Sequence, residues 1–147
     1  MSALQRDVIV APIDFSPVTD QILDVARELA EGQVSRLRVF HVLTPLESLA
    51  PGMVWGELPP DDREQKVREH AAALLAQKGL AEARFDVRLG HPAHDICEFA
   101  TAEKANLIVL ASHGYHGIKR FMLGSVAELV LRHASCPVLV LRRPDAD

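Results

Sequence analysis

The sequence predicts an α/β fold built on an open parallel sheet, and three observations carry that prediction. Residues 7–13 (DVIVAPI) and 107–110 (LIVL) are apolar runs without polar alternation, as in strands covered on both faces. The segments that follow such runs place their apolar residues at helical spacing. Five strand patterns alternate with four helical ones, which implies βαβ units, right-handed crossovers and a single parallel sheet.

Each element can be justified in order. The first strand, 7–13, stops at Asp14-Phe15-Ser16-Pro17, where Ser16 is expected to cap a helix that has Pro17 at its first position. Ile22, Val25, Ala26, Leu29 and Ala30 form that helix's inward stripe, and Gly32 ends it. Residues 37–43 (LRVFHVL) make the second strand, with His41 read as a packed strand histidine. Residues 44–60 carry Pro45, Pro51-Gly52, Pro59 and Pro60, and form a long loop of the kind that serves as a lid or partner surface. Trp55 in that loop has three readings that the sequence leaves unranked: a ligand stack, a core edge or an interface.

Residues 61–79 read as a charged, alanine-rich helix with Val67, His70, Ala71, Leu74 and Leu75 toward the core. Residues 84–89 alternate Phe85, Val87 and Leu89 with Arg84, Asp86 and Arg88, which suggests an outer strand. Gly90-His91-Pro92 turns into a helix with Ile96, Phe99 and Ala100 on one face. His91, His94 and Cys97 are spaced three apart and invite a metal reading. Pro92 begins the helix, however, so His91 lies before it, Cys97 turns inward, and no fourth ligand is placed nearby. The reading kept is a helix start with a buried cysteine. The fourth strand is 107–110, the last helix 126–133 and the last strand 137–141, followed by a polar tail.

A chain of 147 residues suits one domain spanning 1–147. Its net charge of −4 argues against broad nucleic-acid binding, which needs a basic face, but leaves room for a small anion held by local groups. No apolar run approaches the ~20 residues of a membrane span. The N-terminal MSALQRDVIV lacks the pattern of a signal peptide, so a cytoplasmic location is expected. Cys97 and Cys136 sit in apolar patterns and are expected as buried, reduced thiols, with a disulfide disfavoured in that compartment.

The chemistry concentrates after the fourth strand. That strand runs into Ala111 and Ser112, a loop carries Gly114 and Gly117, and Gly124-Ser125 opens the helical pattern VAELVLRHA. Glycines let the backbone approach a ligand, and a helix start presents unpaired N–H groups at the positive end of its dipole. Ser125 offers a hydroxyl either to cap the helix or to meet a phosphate oxygen, and Lys119 and Arg120 add positive charge. Neither GxxxxGK[ST] nor a GxGxxG after the first strand is present. Asp14, at the carboxyl end of the first strand, lies where open α/β sheets bind ligands. It can also cap the next helix, and the loop after Ala111 favours the functional role.

The segment Ala111-Ser112-His113-Gly114, nine residues, then Gly124-Ser125 resembles the nucleotide-binding signature of the universal stress protein family, G-x2-G-x9-G-[ST]. Val126-Ala127-Glu128 and Pro137-Val138-Leu139-Val140 continue the likeness, while Ala111 replaces the first signature glycine and Gly117 lies inside the spacer. The resemblance implies strand order 3-2-1-4-5, which sets the first and fourth strands side by side and brings the loops of Asp14 and Gly114 to one crevice. It implies ATP or AMP as ligand, with Mg2+ as an accompanying ion. Pro12 would belong to the site, Asp14 would contact the ribose, and the backbone around Val42 would recognise adenine. Ala111, Ser112 and His113 would belong to the site, Gly114 would let the chain close over the phosphates, and Gly124, Ser125 and the N–H of Val126 would hold them. It also implies a homodimer paired through the last strand.

The function expected is therefore that of a stress-response regulator, with two alternatives. One is a weak ATPase or nucleotide-using enzyme of the same fold, with His113 and His116 beside the phosphates as acid or base. Against it, Asp14-Phe15-Ser16-Pro17 matches neither the HxGH nor the SGGxDS loop of related transferases. The other is an interaction protein without a ligand, a reading that Ala111 leaves open.

Overall fold

The computed structural model describes residues 8–45, 62–112 and 123–142. Its strands are β1 (Ile9–Pro12), β2 (Leu37–Leu43), β3 (Arg84–Leu89), β4 (Leu107–Ala111) and β5 (Val138–Leu141). Among the described residues, four α-helices alternate with them: α1 (Thr19–Leu29), α2 (Arg63–Gln77), α3 (Pro92–Ala102) and α4 (Ser125–His133), with a 3-10 turn at Val34–Arg36. The sheet order is β3-β2-β1-β4-β5 and every pairing is parallel, as expected.

The residues of β1 show why the strand is apolar throughout. Ile9 and Ala11 face one layer, where they meet Ile22, Leu23 and Ala26 of α1 and Leu75 of α2. Val10 faces the other, with Phe40, Ile96 and Phe99 beside Ala127 and Val130 of α4. Successive side chains in a strand point to opposite faces, so a central strand between two helical layers needs an apolar residue at every position. Phe40 and Phe99 stack at 4.2 Å in the second layer. β3 lies at one edge, as its alternation suggested, and Leu89 at its end is 58% exposed.

Several boundaries differ from the sequence reading, each for a local reason. α1 begins at Thr19 behind the cap residue Val18, so Ser16 is not its cap and Pro17 is not its first residue. Asp14 Oδ1 instead accepts the Ser16 N–H at 2.9 Å, Phe15 takes φ +61°, and a tight turn closes from Thr19 N–H to the Ser16 carbonyl at 3.0 Å. Glu31, one residue before Gly32, already has φ +55° as α1 ends. In α2, His70 is exposed rather than in the core, its ring leaning on Phe15 at 4.8 Å. α4 starts one residue early, with Gly124 as cap and Ser125 as its first residue, so the Ser125 hydroxyl is not a cap. Cys97 and Cys136 are half-buried rather than buried.

Some expectations fall outside the described residues. They are those on Trp55 and nearly all of the 44–60 loop, on His113, Gly114, His116, Gly117, Lys119 and Arg120, and on most of the polar tail.

Candidate functional site

β1 and β4 pair at Ile9–Leu107 and Val10–Ile108, and beyond those residues a crevice opens between their carboxyl ends. This is where the winding of the sheet reverses, the usual ligand position in such folds. The crevice holds a cavity of about 580 Å³, within the range of small-molecule sites. Of the residues singled out from sequence, Pro12, Asp14 and Val42 line its β1–β2 side. Ala111, Ser112, Gly124, Ser125 and Val126 line its β4–α4 side. Two segments nearly a hundred residues apart thus meet in one cavity. His113 and Gly114, which belong to the same expected set, lie outside the described residues.

The β4–α4 side is held by two backbone hydrogen bonds. The buried Ser112 donates its N–H to the Leu141 carbonyl at 2.8 Å, and its own carbonyl accepts the Gly124 N–H at 2.7 Å. The end of β4 and the start of α4 are thereby fixed together across the glycine loop. The first intrahelical bond of α4 runs from Glu128 N–H to the Gly124 carbonyl at 3.0 Å. Ser125, Val126 and Ala127 therefore have N–H groups with no acceptor inside the helix, and all three residues line the cavity. With the positive end of the helix dipole, they suit an anion.

Ala111 causes no backbone difficulty. The non-glycine residues with positive φ among those described are Phe15, Glu31 and Lys104. Ala111 is a regular strand residue in register with Leu141, as its position directly after LIVL implied.

The opposite wall carries a carboxylate and an imidazole. Asp14 Oδ1 is committed to the Ser16 N–H, which fixes the carboxylate at the cavity rim. His41 also lines the cavity, and its Nδ1 lies 2.6 Å from the Ile13 carbonyl. A carbonyl only accepts, so Nδ1 carries the proton and donates. Burial pushes the His41 pKa down, against smaller upward pulls from that hydrogen bond and from Asp14. The imidazole is accordingly neutral at pH 7, with Nε2 as an acceptor.

Sequence reasoning treated His41 as packing only and did not select Phe40, Thr44, Pro92 or Ile96, which also line the cavity. The available signal was adjacency: Phe40 and His41 precede Val42 in β2, and Pro92 opens a helix at the carboxyl end of β3.

The histidine and cysteine cluster on α3 resolves differently from its spacing. His94 pairs with Glu98 at 3.2 Å, and these two lie within 4.8 Å of Asp95. Asp95 is nearly buried and already accepts the His91 N–H at 2.6 Å and meets Arg88 at 3.4 Å. Cys97 packs instead against the apolar layer under α3 and α4.

The chain matches the Universal stress protein family over residues 5–142. It is 33% identical over 141 residues to universal stress protein YxiE of Bacillus subtilis, covering 88% of this chain and 95% of the relative. The solved structure of hypothetical protein MJ0577 superposes with a TM-score of 0.74 at 24% identity, covering 96% of this chain and 99% of that one. A universal stress protein solved in complex with cAMP superposes with a TM-score of 0.61 at 21% identity, covering 95% and 98%. Among the described residues, no helix is long and apolar enough to cross a membrane. Sequence match, relatives and fold agree that the chain belongs to the universal stress protein family.

Proposed function

We propose that this protein is a stress-response regulator that binds an adenine nucleotide, ATP or AMP, in the crevice between β1 and β4. The observation that carries the reading is the convergence on one cavity of Asp14 from β1 and of Gly124, Ser125 and Val126 from α4. Phosphate oxygens fit the N–H groups of Ser125 and Val126, with the Ser125 hydroxyl as a further donor. The Asp14 carboxylate, an acceptor only, fits ribose hydroxyls on the opposite wall and would repel phosphate, so the two walls give the ligand a direction. The adenine then lies toward Val42. The cAMP complex of a related fold supports a nucleotide as the ligand class.

Mass spectrometry of small molecules released from freshly purified, denatured protein tests this. The expected result is an adenine nucleotide near one equivalent, or its uptake when ATP or AMP is added at millimolar concentration. No uptake of either would remove the reading.

The same proposal includes a homodimer through β5, which forms the edge of the sheet opposite β3. Its residues Val138, Val140 and Leu141 are half-buried and Leu139 is 36% exposed, an apolar edge of the kind that pairs with a second chain. β3 carries charge instead: Arg84 meets Asp86 at 2.9 Å and Glu103 at 2.8 Å. Light scattering at micromolar concentration should give a dimer, weakened by Val138→Lys or Val140→Lys. A monomeric wild type would contradict it.

A further inference from the structure

Cys97 and Cys136 are the two cysteines of the chain, and both are free thiols at the rim of one apolar layer. Cys97 lies on α3 and Cys136 in the short link between α4 and β5. Residues i and i+4 share a helix face, so Cys97 and Thr101 face the same way. The Thr101 hydroxyl donates to the Cys97 carbonyl at 3.0 Å and meets the Ser135 hydroxyl at 3.1 Å. The face of α3 that bears Cys97 is thus seated against the residue next to Cys136. The two sulfurs also sense each other, since charge on Cys97 disfavours ionisation of Cys136.

We propose that Cys97 and Cys136 are a redox pair that closes into an intramolecular disulfide under a hydroperoxide. The oxidant is hydrogen peroxide or an organic hydroperoxide. The Cys97 thiolate attacks the terminal peroxide oxygen, the O–O bond breaks, and Cys97 becomes a sulfenic acid with loss of hydroxide, or of alkoxide from an organic hydroperoxide. The Cys136 thiolate then attacks the sulfenic sulfur, the S–S bond forms, and the S–O bond breaks with loss of hydroxide. The two thiol protons neutralise these two leaving groups, so the net change is two thiols and one hydroperoxide to a disulfide, water and water or an alcohol.

Burial raises both thiols above their ordinary range, and a charge on Cys97 raises Cys136 further. Oxidation to the sulfenic acid removes that charge and frees Cys136 to ionise and resolve it. Because both thiols are raised, closure is slow at neutral pH and speeds up as pH rises.

The covalent loop from 97 to 136 encloses β4, Ser112, Gly124 and α4, the wall whose first N–H groups lack an intrahelical acceptor. Closure therefore stiffens that wall, whatever occupies the cavity. Reversible disulfides of this kind in reducing compartments act as sensors rather than braces.

Thiol counting on the intact wild-type protein tests the pair. Reduced protein, denatured and alkylated with N-ethylmaleimide, carries two labels, one per cysteine. After peroxide treatment the expected count is zero, with a monomeric band on a non-reducing denaturing gel and a Cys97–Cys136 peptide in the digest. Dithiothreitol should restore both labels, and the oxidised form should melt about 5–10 °C higher than the reduced one. In Cys136→Ser, the Cys97 sulfenic acid should persist and be trapped by dimedone, whereas wild type shows little trapping. Labels that survive peroxide, disulfide-linked dimers, or oxidation that dithiothreitol does not reverse would each overturn the proposal.

Discussion

Two strand-to-helix corners flank the crevice, and they are built in opposite ways. At the β1–α1 corner the backbone closes on itself: the Asp14 carboxylate takes the Ser16 N–H, and Thr19 N–H bonds the Ser16 carbonyl, while the buried Ser16 and Thr19 hydroxyls have no partner among the described residues. Ser16, Val18 and Thr19 are 5%, 5% and 2% exposed, so these residues are closed to solvent, whereas Pro17 and Asp20 face it. At the β4–α4 corner, among the described residues, the Gly124 N–H bonds the Ser112 carbonyl, while Ser125 is exposed and the next N–H groups lack an intrahelical acceptor. The difference separates two kinds of ligand chemistry. The closed corner presents a carboxylate for neutral hydroxyls, and the open one presents donors for an anion.

The largest effect expected is from Gly124→Val, which sets a branched side chain at the cap of the open corner. Nucleotide affinity should fall by about a hundredfold or more, while the weaker cap costs about 1 kcal/mol of stability. Calorimetric titration, with circular dichroism as the folding control, checks both. Unchanged affinity in folded protein would remove the phosphate assignment. Asp14→Ala attacks the closed corner. It should lower AMP affinity by about tenfold and cost about 1 kcal/mol through the lost bond to Ser16. Binding of inorganic tripolyphosphate, which has no ribose, should not fall in this variant.

Ala111→Gly sharpens the open corner from the strand side. Since Ala111 has ordinary strand geometry, glycine there relieves at most a close contact. The gain in ATP affinity should not exceed about tenfold, or ~1.4 kcal/mol. Wild type that fails to bind while Ala111→Gly binds readily would show that Ala111 switches the site off. Ser125→Ala should lower affinity by about threefold and change stability by less than about 0.5 kcal/mol, because the hydroxyl is not a cap. A loss of about 1 kcal/mol in chemical denaturation would mean that it caps after all.

The smallest effect is on stability near neutral pH. The His41 pKa is lowered by burial in the folded state, so below the ordinary value of 6.5 the unfolded chain binds a proton that the folded one resists. Its contribution to stability is fully present above that value and declines as pH falls toward the lowered pKa. Thermal melts between pH 7.5 and 5.5 should show this decline. His41→Asn, which keeps a donor for Ile13 but does not titrate, should flatten it.

The fold was legible because burial on two faces writes itself into composition: LIVL and DVIVAPI have few other uses. The edge position of β3 was legible from its alternation for the same reason. The start of α1 was misread because Ser16-Pro17 follows capping preferences well, and nothing local shows that Asp14 takes the Ser16 N–H first. Phe15 at φ +61° was invisible, since a bulky residue carries no signal for that conformation. The Gly124-Ser125 corner was readable from its motif, but which of the two residues caps the helix was not, because both are good caps. His41 was underrated because a strand histidine gives its position but not the neighbour its ring will meet.

The contrast between the corners can be tested by amide chemical shifts of 15N-labelled protein titrated with ATP. The account predicts that the largest shifts fall at the Ser125, Val126 and Ala127 amides, with Thr19 and Asp20 at the start of α1 little changed. Largest shifts at the start of α1, or none at the start of α4 at saturating nucleotide, would contradict it.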